Sequence, residues 1–261
     1  MVFLFPKEHG AYGQMAFPAV TALMVGRFHL SAVLCALVVV AGFLAHEPLL
    51  VVLGRRGPRA RLDAGRAAPV SLAAFIAIVA AAGLGALRLM PPGARWSVAV
   101  PLVPLAAVVV ALAQKSEKSW FGELSVAVAF SCAAVPIAVA GGASAGAGLL
   151  IAWAFATSFV LATLAVRVVI LRVRGGGDPR GSAATRRAVF IIAGTTVAVL
   201  AGLIARGLLS WGALAFLPGL AIAVPLAISP PPPIRLRAVG WQLVGSSVVT
   251  TVILVVVLLL A

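Results

Sequence analysis

Acidic side chains are scarce in this sequence: six Asp and Glu stand among 261 residues, against twenty Lys and Arg and three His. The three histidines fall in different apolar runs or connections without metal-ligand spacing, so a histidine metal centre is not indicated, and no cofactor is expected. No P-loop, HExxH or CxxC motif occurs, which removes the signatures of nucleotide hydrolysis, zinc proteolysis and dithiol chemistry. Cysteine is limited to Cys35 and Cys132, each in the middle of an apolar run, and that excludes a disulfide framework. A signal-peptide pattern is also missing. The opening "MVFLFPKEHG" has too short an apolar stretch and no small-residue cleavage pattern, so it is expected to be retained along the membrane interface.

Apolar residues fill the space that charge leaves. The chain is 63% hydrophobic and 10% charged, with a mean hydropathy of +1.17, outside the range of a soluble domain. Stretches bounded by Arg, Lys, Pro or Gly clusters fall at about 10–26, 30–53, 70–88, 97–113, 122–140, 148–171, 188–205, 211–228 and 240–260. Each approaches the length of about 20 residues needed to cross a bilayer as a helix. The expectation is an all-α bundle of about nine spans in a single transmembrane domain over 1–261, multi-pass in the inner (cytoplasmic) membrane. "SPPPPIRLR" at 229–237 reads as a stiff link.

A net charge of +14 invites comparison with nucleic-acid binders, but the cations punctuate apolar runs instead of forming a stripe, so no nucleic-acid partner is expected. They alternate between the two sides of the segmentation. Lys7, the Arg55–Arg66 group, Lys115 and Lys118, the Arg172–Arg187 group, and Arg235 and Arg237 fall on one side. Only Arg27, Arg88, Arg95 and Arg206 fall on the other. By the positive-inside bias, the N-terminus is cytoplasmic and the C-terminus outside. Bilayer lipid is then the first partner, with anionic headgroups at the Arg-rich cytoplasmic loops.

Ionisable groups within spans are costly and therefore point to function. Glu47 and Arg167 both lie inside a span, both precede a basic loop, and share a depth of roughly 10 Å below it at ~1.5 Å per residue. The stretches "EPLLVVLGRRGPR" and "RVVILRVRGGGDPR" form a faint internal echo four spans apart. If that echo is structural, Glu47 and Arg167 face each other, either as a neutralising ion pair or as the lining of a polar pocket open to the cytoplasm. Snorkelling of Arg167 beside a protonated Glu47 is the remaining reading. Pro48 is expected to bend the helix beside Glu47, with His46 a hydrogen-bonded packing residue. Lys7, Glu8 and His9 in "PKEHGAYGQ" fit either an interfacial anchor or a binding segment, with Gly10 and Gly13 permitting close approach. In "QKSEKSWFGEL", Ser116 or Ser119 can cap the next span; Glu123 lies deeper than a cap requires and is a candidate for the pocket mouth. "GGASAG" at 141–146 reads as a turn.

Four segments together, "PKEHGAYGQ", "FLAHEPLLVVL", "EKSWFGELSVAVAF" and "LATLAVRVVILRVR", resemble the YwiC-like family of bacterial membrane proteins, over residues 6–174. The resemblance implies a class and not a mechanism. In layout the chain is also similar to the UbiA superfamily of intramembrane prenyltransferases, which implies nine helices and functional loops after spans two and six. There, Asp-rich motifs hold a prenyl diphosphate through Mg²⁺. The corresponding stretches here offer only Glu47, Asp63 and Asp178 among arginines, too dispersed to give Mg²⁺ two or more ligands. This departure argues against Mg²⁺-dependent prenyl transfer and leaves the cavity. The leading expectation is a pocket built from Lys7, Glu8, His9, His46, Glu47, Glu123 and Arg167 that takes an isoprenoid or quinone-like lipid. A small-solute or ion transporter and a non-catalytic membrane assembly factor are the alternatives.

Overall fold

The computed structural model describes residues 4–6, 9–116, 118–173 and 179–260. Among them the regular structure is helical: α1 His9–Gly26, α2 Leu30–Val52, α3 Gly57–Ala64, α4 Ala67–Leu89, α5 Ala99–Ala113, α6 Trp120–Cys132, α7 Ala134–Ala140, α8 Ala145–Val173, α9 Pro179–Ala205, α10 Leu217–Ile228 and α11 Leu236–Leu260. Short 3-10 turns lead into α5, α10 and α11. Eight segments are long and apolar enough to cross a membrane, counting α6 with α7 as one. The chain is a multi-pass membrane protein.

The ninth expected span, α1, is helical but falls outside those eight. Its 18 residues would cover about 27 Å, yet the first turns carry His9, Tyr12 and Gln14, and Pro18 interrupts its bonding. Helix ends otherwise fall within a few residues of the apolar boundaries, except that α9 begins at Pro179, ahead of the apolar run, and α3 is an additional short helix. Pro136 lacks the N–H that would bond the Cys132 carbonyl, which accounts for the break between α6 and α7. α2, by contrast, continues through Pro48.

α8 is the central helix, touching α1, α6, α7, α9, α10 and α11. Its Ile151, Ala154, Phe155, Leu161, Ala165 and Val169 are fully enclosed. α2 and α4 form an antiparallel pair to one side, and α4, α5, α9 and α11 turn most of their surface outward. With little hydrophobic drive between helices in lipid, close approach depends on small residues. Gly26 of α1 meets α7 so closely that a Cβ there would sit 2.6 Å from the Ala138 carbonyl oxygen, and one on Gly141 would collide with the Gly26 carbonyl. Nearby, Ser31 at the start of α2 donates to the Ala140 carbonyl at 2.9 Å.

The opposite end of the bundle carries most of the arginines. There Gly54 ends α2 with φ +73°, its N–H bonding the Val51 carbonyl while Arg55 N–H bonds the Leu50 carbonyl. This is the Schellman pattern that glycine permits at little strain. It reverses the chain so that Arg56 returns toward the last turns of α2.

Candidate functional site

Gly54's reversal sets the first ion pair. Arg56 Nε donates to Glu47 Oε1 at 2.9 Å and Nη2 to Oε2 at 2.5 Å, a bidentate contact in which Glu47's side chain is only 10% exposed. The pairing expected between Glu47 and Arg167 is therefore not formed. α2 packs on α4, α7 and α1, whereas Arg167 projects from α8 toward the start of α6. Equal depth did not imply a shared face. His46 is half-buried on α2 beside this pair. Arg55, next along the turn, donates through Nη2 to the Leu112 carbonyl at the end of α5.

The second pair lines a cleft. Arg167 Nη1 donates to Glu123 Oε2 at 3.2 Å, with both side chains partly exposed. Glu123 is held in the first turn of α6, where Ser119 caps the helix by accepting the Gly122 N–H, and a carboxylate there is favoured by the helix dipole. Ser116 instead bonds the Ala111 carbonyl.

The cleft behind this pair encloses about 720 Å³ between α1, α6, α8 and α11. Three helices each present one stripe to it at three- and four-residue spacing: Gly10, Gly13, Gln14 and Phe17 from α1; Phe159, Thr163, Val166, Arg167 and Ile170 from α8; Gly240, Leu243, Val244 and Ser247 from α11. Lys118 joins Glu123 and Arg167 at the Arg-rich end. Ser158, halfway along α8, marks the inner end, nine residues or about 14 Å from Arg167 along the helix axis. The charge is thus concentrated at one end, with hydroxyls, an amide and two phenyl rings further in. Tyr12 Oη donates to the Pro6 carbonyl at 3.0 Å, tying the N-terminal strand of chain to α1, and its ring meets Phe43 of α2 edge-on.

Of the residues singled out in the sequence, the structure brings Glu123 and Arg167 together in the cleft and places His46 and Glu47 elsewhere, on α2. Lys7 and Glu8 lie outside the described residues, as does the side chain of His9, whose backbone opens α1. Lys118, Gln14 and Ser158 were missed. Lys118 and Gln14 sit within stretches already noted for their polarity, but Ser158 is one hydroxyl among many on apolar helices, and only packing sets it apart. Among the described residues no three His, Cys, Asp or Glu side chains gather. Residues 142–146, "GASAG", match the GxSxG pattern, yet a nucleophile elbow needs a strand-to-helix turn. Ser144 lies between two helices and accepts the Ala147 N–H at the start of α8.

The family model described as YwiC-like protein matches residues 5–139, which span the α1 and α6 walls of the cleft but end before α8 and α11. Neither a curated protein nor a solved structure matches the chain.

Proposed function

The chain belongs to the YwiC-like family, and from that premise we propose that it binds an amphiphilic lipid, isoprenoid or quinone-like, in the cleft between α1, α6, α8 and α11. One observation carries this reading: the cleft is charged at one end, by Lys118, Glu123 and Arg167, and uncharged further in, where Phe17 and Phe159 stand among hydroxyls. Such a gradient suits a molecule with a polar head and a hydrocarbon tail. The head sits at the Glu123–Arg167 level, where a partly exposed, single-contact ion pair can exchange partners, since such pairs are worth only about 0–1 kcal/mol.

The cation distribution supports an inner-membrane protein with this mouth facing the cytoplasm. The arginines of the loop and short helix around α3, together with Arg186, Arg187, Arg235 and Arg237, then meet anionic headgroups. Native mass spectrometry and solvent extraction of the purified protein test the assignment. Wild-type protein is expected to retain a lipid with an isoprenoid chain or quinone ring, reduced several-fold in Arg167→Ala. Recovery of nothing beyond detergent and bulk phospholipid overturns the reading.

A further inference from the structure

Helical hydroxyls such as Thr21, Ser125, Ser131, Thr196 and Ser247 donate to the backbone carbonyl four residues earlier. Two polar side chains in the cleft wall are not satisfied in that way. Among the described residues, neither Thr163 of α8 nor Gln14 of α1 has a side-chain hydrogen bond, and both are half-buried. Their helical positions aim them into the cleft. Thr163 stands at the centre of the α8 stripe, with Phe159, Val166, Arg167 and Ile170 at i−4, i+3, i+4 and i+7 all in the same wall. Gln14 is flanked likewise by Gly10 and Phe17 at i−4 and i+3. The surface these two side chains expose therefore faces the cavity.

They also share a level. The end of α1 at Gly26 and the start of α8 at Gly148 both pack on Ala138 of α7, so the two helices run antiparallel from a common origin. At ~1.5 Å per residue, Gln14 lies about 18 Å along α1 and Thr163 about 22 Å along α8, whereas Arg167 lies at about 28 Å. The two uncharged groups thus sit one to two turns inside the charged mouth. Glycines leave the space beside them open. A Cβ on Gly10 or Gly240 would meet nothing within 4 Å, and one on Gly13 would meet only the Phe17 ring of its own helix at 3.6 Å. None of the three has a positive φ, and glycine weakens a helix relative to alanine, so neither packing nor backbone geometry asks for glycine there.

Resting on the lipid-binding reading above, we infer that the lipid's head is an oxygenated ring of the quinone or quinol class, lying against this glycine wall, with Thr163 and Gln14 as the specificity-determining residues for its inner oxygen and Arg167 facing its outer one. Oxygens on opposite corners of a six-membered ring are separated by about one helical turn, ~5 Å, close to the rise of ~6 Å from Thr163 to Arg167. A quinone oxygen accepts from the Thr163 hydroxyl and the Gln14 amide N–H, and a quinol can also donate to the Gln14 carbonyl oxygen. An isoprenyl phosphate has all its polar atoms at one end. Held by Lys118 and Arg167, it would turn hydrocarbon toward an amide and a hydroxyl and leave both without partners, which a site built around hydrogen bonds rejects.

Titration of delipidated protein with two probes of equal chain length, a farnesylated 1,4-benzoquinone and farnesyl phosphate, decides the matter, with bound probe read by native mass spectrometry. Wild-type protein is expected to bind the quinone roughly tenfold or more tightly than the phosphate. Thr163→Val, which keeps the side chain's shape, and Gln14→Leu are each expected to weaken quinone binding by roughly fivefold or more and to change phosphate binding by less than about twofold. Gly13→Ala is expected to weaken quinone binding while its unfolding midpoint without ligand stays at or above that of wild type, which separates lost binding from lost folding. Farnesyl phosphate bound as tightly as the quinone, or quinone binding unchanged in Thr163→Val and Gln14→Leu, overturns the ring assignment and leaves the lipid-binding cleft standing. Failure of the wild type to bind either probe overturns both.

Discussion

Arg56 holds Glu47 through two hydrogen bonds, and the two residues differ in their access to water: Arg56's side chain is 24% exposed and Glu47's 10%. The consequences of removing each are therefore unequal. Arg56→Ala strands a carboxylate with little solvent and is expected to cost about 3 kcal/mol, toward the lower end for a broken buried pair. Glu47→Gln leaves an arginine long enough to reach water and is expected to cost about half as much. Unfolding in detergent measures both, and equal losses would show that burial does not govern the pair. Gly219→Ala is a residue-scale test of a different kind. Its Cβ would meet Ser158 Oγ at 2.5 Å and Cβ at 3.0 Å, so a loss of about 1–3 kcal/mol from overpacking is expected. Gly194→Ala, which meets nothing within 4 Å, is expected to be neutral or slightly stabilising because it favours helix.

Helix ends carry the next level of information. α2 and α9 close on Gly54 and Gly207 at positive φ, α7 closes on Gly142, and α5 closes in the same bonding pattern on Lys115 at φ +57°. A lysine in that conformation carries strain that glycine does not. Lys115→Gly is accordingly expected to stabilise the protein by about 1 kcal/mol, and Gly54→Ala to destabilise it by about 1–2 kcal/mol. Thermal midpoints of the two variants check the signs, and a shift in the same direction for both would refute the assignment. Gly54 also shows an element-level cause reaching a side chain: its reversal delivers Arg56 to Glu47. The crossing of α1 on α7 works at the same scale, because a Cβ on Gly26 would strike the Ala138 carbonyl and one on Gly141 the Gly26 carbonyl.

For the whole molecule, the solvent is two solvents. Val103, midway along the outward-facing span Pro92–Ala113, and Leu62 of α3 at the Arg-rich end are similarly exposed, at 76% and 81%. Val103→Lys is expected to penalise insertion by about 2.5–3.5 kcal/mol, whereas Leu62→Lys is expected to be tolerated. Inserted yield in a membrane-translation assay compares them. The Glu123–Arg167 pair belongs to this scale too, because it joins α6 to α8 across the mouth of the cleft. Glu123→Gln is expected to change stability by less than about 1 kcal/mol while altering lipid retention.

Hydropathy determined the helical class and the apolar runs that became the long helices, because bilayer length and backbone hydrogen bonding leave few options, whereas α9 starts at Pro179, ahead of its apolar run. The stretch "SWFGEL" displayed both Ser119 as a cap and Glu123 as a deeper charge. Depth along a helix is a property of the sequence; azimuth is not. Glu47 and Arg167 were placed at one depth, but which face α2 or α8 turns toward which neighbour depends on packing, and packing gave each a different partner. The same limit applied to Ser158, which resembles every other helical serine until its neighbours are known, whereas the polar opening of α1 was already marked as a candidate binding segment. Composition fixed what the chain is dissolved in, and only the contacts among α1, α6, α8 and α11 decided where a cleft with a charged mouth would open.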